Sequence, residues 1–205
     1  MKNVIPIVVL VMLFGVCNAQ SSKEKSNVFE SHFGMRHYIN YPSLSVIEDA
    51  ATSYTLPSYG FLYGRRMDEL MFGIQWDMET GSTSFIAGNE RVNNYRLSLL
   101  MRRYKKINEN VELYTGILAG TNLFVNGYKY MNHDYYSTRV GLGMEFSLGL
   151  NYMLSSNTYV GVHTGMNIPC VTLTQKGDDI PAPLNATDKR AFNGINISFN
   201  YGFRF

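Results

Sequence analysis

The 205-residue chain is poor in features that mark several common protein classes. It has two cysteines, Cys17 and Cys170, and Cys17 lies in an N-terminal segment that we expect to be removed. Cys170 would then remain alone, so no intramolecular disulfide could form even in an oxidising compartment. The formal net charge is only +2, which gives no reason to expect a nucleic-acid partner. A hydrophobic content of 45% is ordinary for a soluble protein, so composition alone does not mark a membrane protein.

Aromatic residues and glycine are what the chain has in excess. It contains 15 tyrosines, 12 phenylalanines and 18 glycines. Aromatic side chains favour strands, and glycine favours tight bends and close backbone approach over helix. The composition therefore predicts a β-rich fold.

The N-terminus resembles a secretory signal peptide. Lys2 supplies a positive start, Val4 to Val16 form an apolar core, and Cys17-Asn18-Ala19 offer small residues for cleavage before Gln20. A retained transmembrane helix is the alternative, but the apolar run is shorter than the roughly 20 residues that a helix needs, and Pro6 interrupts it. Lipid attachment at Cys17 is a second alternative, although lipoprotein signals place a small residue before the cysteine. We expect residues 1–19 to be a signal peptide and residues 20–27 a polar segment.

The rest of the chain alternates between apolar and polar residues with a period of two. The pattern is clearest at the C-terminus, where Ile195, Ile197 and Phe199 are separated by Asn196 and Ser198. Such alternation predicts strands with one apolar face. Eight segments show it: Phe29 to His37, Tyr59 to Arg66, Leu70 to Met78, Tyr95 to Lys105, Val111 to Leu123, Arg139 to Tyr152, Tyr159 to Ile168 and Ile195 to Phe205.

The connections between these segments alternate in length. The short ones are Met67-Asp68, Ile107 to Asn110 and Ser155 to Asn157, and the long ones are Tyr38 to Ser58, Thr80 to Asn94, Phe124 to Thr138 and Pro169 to Ala191. Short periplasmic turns and long outer loops are typical of bacterial outer-membrane barrels. The sequence therefore predicts an all-β fold over residues 28–205, an eight-stranded antiparallel transmembrane up-and-down β-barrel with both termini on the periplasmic side.

The polar faces of these strands carry opposite charges that we expect inside the barrel. An eight-stranded barrel is just wide enough for its own side chains, so acids and arginines can fill the lumen together and pair across it. A soluble lipocalin-like barrel with the apolar faces inward is the alternative. The predicted lumen charge network consists of Glu30, Arg36, Arg66, Asp77, Arg96, Glu112, Arg139, Glu145 and Arg204.

The last strand carries a family resemblance. Phe199, Tyr201, Phe203 and Phe205 alternate with polar or small residues and look like the C-terminal assembly signal of outer-membrane proteins. The chain from about Phe29 onward resembles the small outer-membrane β-barrel proteins of Bacteroides-type bacteria, in the form of OmpX and the OmpA barrel. The resemblance implies a Gram-negative outer membrane, contact with its lipids and lipopolysaccharide, and recognition by the barrel-assembly machinery. It does not imply a chemistry.

For function, the sequence favours a monomeric, non-enzymatic protein with a structural, surface-display or adhesion role. A narrow channel for ions or small solutes is the alternative, and a lipid A-modifying enzyme is a third hypothesis, for which His163-Thr164 is the nearest pattern. We predict no cofactor and no metal. The nearest candidate for a metal site, His133-Asp134, offers two adjacent ligands, whereas a metal site needs three or four. Tyrosines of the loop before Arg139 could form a contact surface; they are Tyr128, Tyr130, Tyr135 and Tyr136.

Overall fold

Eight antiparallel strands form one closed barrel in the computed structural model, which describes residues 25–39, 53–85, 88–130, 133–178 and 193–205. Each strand pairs with its neighbours in the chain, and β1 pairs with β8 to close the cylinder. The predicted fold class is confirmed. The strands are β1 (Lys25–Ile39), β2 (Ser53–Met67), β3 (Leu70–Phe85), β4 (Gly88–Lys106), β5 (Val111–Tyr130), β6 (His133–Met153), β7 (Thr158–Asp178) and β8 (Asn193–Arg204).

Nowhere in these ranges does a helix offer the length and apolar character that crossing a bilayer requires. The predicted signal peptide, residues 1–19, and its cleavage point lie outside the described residues. Strand β1 begins at Lys25, so the last three residues of the predicted polar segment already pair with β2.

Alternation along each strand decides which side chains face inward. On β8, Asn196 and Ser198 are 4% and 2% exposed, whereas Ile197 and Phe199 between and beside them are 63% and 68% exposed. Successive side chains of a strand point to opposite faces, so the polar set lines the interior and the apolar set covers the outside. The sidedness predicted from the sequence is the one observed, and the lipocalin-like alternative is excluded.

The three short turns at one rim are fixed by local features, which are a left-handed residue in the first and side-chain hydrogen bonds in the other two. Asp68, between β2 and β3, has a φ of 59°, the one positive value outside glycine among the described residues. Aspartate tolerates this left-handed conformation better than most residues. At the next two turns, the backbone N–H of Asn110 donates to Asn108 Oδ1 at 3.0 Å, and that of Thr158 donates to Ser155 Oγ at 3.0 Å.

Two of the four predicted long loops are wrong. Pairing of β3 with β4 continues to Phe85 and Gly88, and pairing of β5 with β6 continues to Tyr130 and His133. The segments assigned to loops, Thr80 to Asn94 and Phe124 to Thr138, are therefore mostly strand. In these stretches Val92 and Phe124 face inward whereas Arg91 and Asn93 face outward, so the alternation of apolar outward and polar inward residues that reveals the other strands is lost. Most of the other two predicted loops, residues 40–52 and 179–192, lies outside the described residues.

The β6–β7 pairing is irregular in its upper part. The register shifts between Val140 and Gly141 and again between Leu142 and Met144. The second shift lies opposite Pro169, which has no N–H to give to a ladder and is usually confined to edges and bulges. Proline is thus accommodated in β7 without ending the strand.

The outside of the barrel carries a continuous apolar band. On β4 the outward residues between Arg103 and Asn93 are Met101, Leu99, Leu97 and Tyr95. The flanking polar residues Arg103 and Asn93 are ten residue steps apart, which at about 3.4 Å each on a strand tilted by about 40° is a height of roughly 26 Å. The apolar stretch between them therefore fits within the band of about 25 Å that surrounds transmembrane barrels.

Candidate functional site: the packed interior

The interior of the barrel is filled by side chains rather than by an open channel. In the described part of the chain, the inward faces hold six carboxylates and six guanidinium groups, so their formal charges balance. The acids are Glu30, Asp77, Glu79, Glu90, Glu112 and Glu145, and the arginines are Arg36, Arg66, Arg96, Arg102, Arg139 and Arg204. Buried charges are tolerated when each has a partner.

Glu145 is the centre of the largest ion-pair cluster. Its Oε2 accepts hydrogen bonds from Arg36 Nη1 at 2.9 Å and from Arg96 Nη1 at 2.5 Å. Its Oε1 accepts one from Asn196 Nδ2 at 3.2 Å and lies 3.7 Å from His163 Nε2. These groups come from β1, β4, β6, β7 and β8, so one carboxylate ties together strands from opposite sides of the barrel.

Each arginine of this cluster also holds a second acid. Arg36 Nε lies 2.7 Å from Glu79 Oε1, and Arg96 Nη2 lies 2.8 Å from Asp77 Oδ2. Asp77 in addition contacts His32 Nε2 at 2.6 Å. Every member is at most 6% exposed. The result is a continuous chain of charges across the middle of the lumen, from Glu79 to His32.

A separate ion pair fills the half of the lumen nearest the short turns. Arg102 Nη1 donates to both oxygens of Glu30, at 3.1 and 2.9 Å, and both side chains are 0% exposed. Tyr159 OH donates to the same carboxylate at 2.9 Å. The Arg102 guanidinium also lies 4.3 Å from the centre of the Tyr114 ring, a cation–π distance.

The rim at the short turns is closed by a third group of charges. Glu112 accepts from Arg66 Nη1 at 2.8 Å and from Arg66 Nη2 at 3.1 Å, and it is also paired with Arg204. Arg66 lies over the Tyr104 ring at 4.3 Å. The side chains of Arg66 and Arg204 are 11% and 16% exposed, so this pair of cations lies where the lumen meets solvent.

Apolar residues also pack inside the barrel, which the sequence analysis did not predict. Leu62, Met71, Leu100 and Leu118 join the rings of Tyr104, Tyr114 and Tyr159 in a cluster that is at most 2% exposed. Glycines make room for these rings: a Cβ at Gly149 would overlap the Tyr114 ring, and one at Gly202 would overlap Tyr159. The lumen is therefore ionic in the middle and partly apolar around the pair of Glu30 and Arg102.

All nine residues of the predicted lumen network lie on inward faces. Arg139 is 7% exposed, and the other eight belong to the three groups described above. The sequence analysis missed Glu90. It also missed Arg102, Glu79 and His32, each of which pairs with a predicted residue. Arg102 could have been found, because it lies six residues from Arg96 on the same strand and so shares its face. Glu79 could not, because the alternation that marks β3 fades after Met78.

A nucleophile, a base and an acid do come together in the interior. Ser198 Oγ lies 3.3 Å from His163 Nδ1, and the other ring nitrogen faces Glu145. Ser198 is only 2% exposed, and the Glu145 carboxylate is held by two arginines. Acyl transfer needs space for a substrate carbonyl next to the nucleophile. Thr164, the other residue of the predicted His-Thr pattern, faces outward and bonds the carbonyl of Asn196 at 2.9 Å.

The four tyrosines of the predicted contact surface lie in paired strand rather than in a loop. Tyr128 pairs with Tyr135 and Tyr130 with His133, at the top of β5 and β6. Tyr136 is the one whose side chain is described, and it is 57% exposed on the outward face. Among the described residues, no group of three or more histidine, cysteine, aspartate or glutamate side chains has metal-binding geometry.

The residues of the predicted assembly signal lie on the outward face of β8 and just beyond it. Phe199, Tyr201, Phe203 and Phe205 are between 39% and 68% exposed. Phe205 exchanges two backbone hydrogen bonds with Asn27 of β1, at 2.8 and 3.0 Å. These aromatic side chains therefore border the seam where β8 and β1 close the barrel.

Comparison with known proteins supports the fold and no more. No family model and no curated protein sequence matches the chain. Among solved structures, Neisserial surface protein A is 14% identical, with a TM-score of 0.54 over 89% of this chain and 100% of its own. A major outer-membrane protein of Thermus thermophilus is 12% identical, with a TM-score of 0.55 over 88% and 99%. Ail, the attachment invasion locus protein of Yersinia pestis, is 12% identical, with a TM-score of 0.51 over 88% and 98%. The chain thus shares the architecture of small outer-membrane barrels.

Proposed function

We propose that this chain is an integral outer-membrane protein that does not conduct and that presents its outer hairpins at the cell surface, in a structural, display or adhesion role. The observation that carries the proposal is the combination of an apolar band outside with a charge-balanced, side-chain-filled interior. A sheet can cross a bilayer only when it is closed and every backbone group has an internal partner. The described strands form such a closed sheet, since each pairs with two neighbours and β1 pairs with β8.

The band supports placement in a bilayer. Exposed apolar side chains encircle the barrel, among them Phe33, Phe61, Leu97, Phe146 and Phe199, each at least 48% exposed. A water-soluble protein rarely exposes a contiguous apolar patch of this extent. Hydrocarbon is the environment in which such a surface is stable.

The interior supports a closed rather than a conducting barrel. Glu145 with its two arginines crosses the middle of the lumen, and Glu112 with Arg66 and Arg204 crosses one rim. An ion path would require these buried pairs to separate and to be hydrated. Separating a buried pair leaves uncompensated charge, at a cost of about 3–5 kcal/mol.

Strands that extend beyond the band support the display role. Strands β4 to β7 have 19 to 21 residues, whereas a tilted strand needs about 9–11 to cross the hydrocarbon. The excess lies at the rim opposite the short turns, which is the outer rim in known barrels. The proposal includes export by the N-terminal signal peptide, assembly by the barrel-assembly machinery, a Gram-negative host and a monomeric state in contact with lipopolysaccharide.

Insertion can be tested with Trp76, the only tryptophan of the chain. Trp76 faces outward on β3 and stacks on Phe61, with ring centres 6.2 Å apart. In vesicles of lipids brominated on the acyl chains, we expect strong quenching of its fluorescence, together with a gel mobility that changes on boiling. Unquenched fluorescence in these vesicles would reject the membrane assignment.

Conductance in planar bilayers tests the closed interior. The folded chain should give no discrete current steps. Current steps in the unmodified protein would establish a narrow channel instead, and Arg139→Gln and Glu145→Gln should then change its ion selectivity.

Incubation with lipid A followed by mass analysis tests whether the protein is non-enzymatic. If lipid A lost an acyl chain, and if His163→Ala abolished that loss, the non-enzymatic role would be overturned.

A further inference from the structure

We infer that the outward surface of β4, β5 and β6, just above the apolar band, binds a phosphate group on the headgroup of an outer-leaflet glycolipid. The site consists of Arg91, Lys129 and Tyr136 around the bare backbone of Gly127. It rests on the proposed function, because only in an outer membrane would this surface face glycolipid headgroups.

The strand register brings the four residues together. Gly127 of β5 is paired with Arg91 of β4 on one side and with Tyr136 of β6 on the other. Lys129 lies two residues further along β5 and therefore on the same face as Gly127. Cross-strand diagonal neighbours such as Arg91 and Lys129 are about 7–8 Å apart at the backbone. A phosphate group can therefore be reached by both cations.

Gly127 lets an aromatic ring pack directly on the backbone in the middle of the site. A Cβ built at this glycine would lie 3.3 Å from Cε1 of Tyr136, so the tyrosine ring lies against the glycine backbone. The ring is 57% exposed, which leaves one face available to a sugar. Tyrosine offers such a contact area at a low cost in conformational entropy.

The two cations are exposed and have no partner in the described part of the chain. No hydrogen bond or ion pair joins either Arg91 or Lys129 to a described residue. Asp134 is paired with Lys129 in the register, yet no salt bridge within 4.0 Å connects them. Arg103 on the same face of β4 differs, because it is paired with Glu69 at 3.2 Å. Arginine binds phosphate through two parallel hydrogen bonds and lysine binds it as a point charge.

The height of the site selects the occupant. On β4 the band ends between Tyr95 and Asn93, and Arg91 lies two to four residues beyond that edge. At about 3.4 Å per residue and a tilt of about 40°, this is roughly 5–10 Å above the hydrocarbon. Lipid headgroups occupy that level, and anionic headgroups attract cations placed there.

The experiment measures binding of lipid A by the full folded chain, both in detergent micelles and in phospholipid nanodiscs. The probes are bisphosphorylated lipid A and the same lipid without phosphates. The test variant is Arg91→Gln with Lys129→Gln. The matched control is Arg103→Gln with Lys105→Gln, which removes two exposed outward cations from the opposite edge of the band on β4.

Removal of both upper cations should weaken binding of bisphosphorylated lipid A by about 30-fold, about fivefold for each charge. The control variant should change the affinity for bisphosphorylated lipid A by less than about twofold, since exposed charges beyond a Debye length are largely screened. Lipid A without phosphates should bind the unmodified chain and both variants equally. Equal affinity of the test variant and the unmodified chain, or an equal loss in the control, would overturn the site. Gly127→Val keeps both charges but forces the Tyr136 ring away from the backbone, and unchanged affinity in that variant would reject the geometry. Failure of the chain to enter nanodiscs would reject the proposed function, whereas the micelle measurement would still decide this site.

Discussion

Arg102 and Arg103 are neighbours in β4, but their ion pairs lie in opposite environments. Arg102 points inward to Glu30, and both side chains are 0% exposed. Arg103 points outward to Glu69, and these side chains are 72% and 58% exposed. The same strand thus supplies a buried pair and its matched exposed control. We predict that the two pairs differ strongly in their coupling energies.

The magnitude for the buried pair follows from its geometry. Charge centres about 4 Å apart interact by about 4 kcal/mol at an effective dielectric constant of 20. Among the described residues, Arg102→Met leaves the Glu30 carboxylate with the Tyr159 hydroxyl as its one side-chain hydrogen-bond donor, so this single change should cost about 3–5 kcal/mol. Glu30→Gln should cost about 3 kcal/mol, because the amide oxygen still accepts a hydrogen bond.

The double variant separates the interaction from the side chains themselves. Glu30→Gln combined with Arg102→Met leaves no unpaired charge, so we expect a loss of at most about 2 kcal/mol and a coupling energy of at least about 3 kcal/mol. The exposed pair of Arg103 and Glu69, treated in the same way, should couple by less than about 1 kcal/mol.

Urea unfolding in phospholipid vesicles, followed by Trp76 fluorescence, measures all of these free energies. The cycle requires that each variant folds, which the difference in gel mobility before and after boiling checks. Additive effects at Glu30 and Arg102, with coupling below about 0.5 kcal/mol, would mean that water screens the pair. A hydrated interior of that kind would contradict the packed lumen on which the proposed function depends.

The sequence predicted the barrel where hydrophobic contrast was strong. The predicted strand from Ile195 to Phe205 differs from β8 by two residues at its start and one at its end, because alternation there is unbroken. Strand β4 was predicted to start at Tyr95 but begins at Gly88. Outward Arg91 is as polar as inward Glu90, so no periodic contrast marks this part of the strand.

For the charged residues of the interior, the inward position was largely predictable but the pairing was not. Alternation alone predicts that Glu145 and Arg96 point inward. Which acid pairs with which arginine depends on the strand register and the shear of the closed barrel. Glu30 and Arg102 are 72 residues apart in sequence, and no local pattern relates them. Inward leucines such as Leu62 and Leu100 break the polar pattern of their faces, so the apolar half of the lumen required the structure.

Five further variants probe the turn, the lumen and the band, each by urea unfolding in vesicles. Asp68→Ala should cost up to about 1 kcal/mol, because alanine lacks the short polar side chain that makes a φ of 59° tolerable, while Asp68→Gly should cost nothing because glycine has no Cβ. Gly149→Val should cost about 1–3 kcal/mol, because its side chain would overlap the Tyr114 ring. Leu97→Arg, in the middle of the band and 54% exposed, should cost about 2–4 kcal/mol, because hydrocarbon does not solvate a guanidinium group. Asn93→Arg, on the same face of the same strand but above the band, should cost less than about 1 kcal/mol. Equal costs at residues 97 and 93 would show that water, not lipid, surrounds both residues, since a soluble barrel has no reason to distinguish two exposed positions four residues apart.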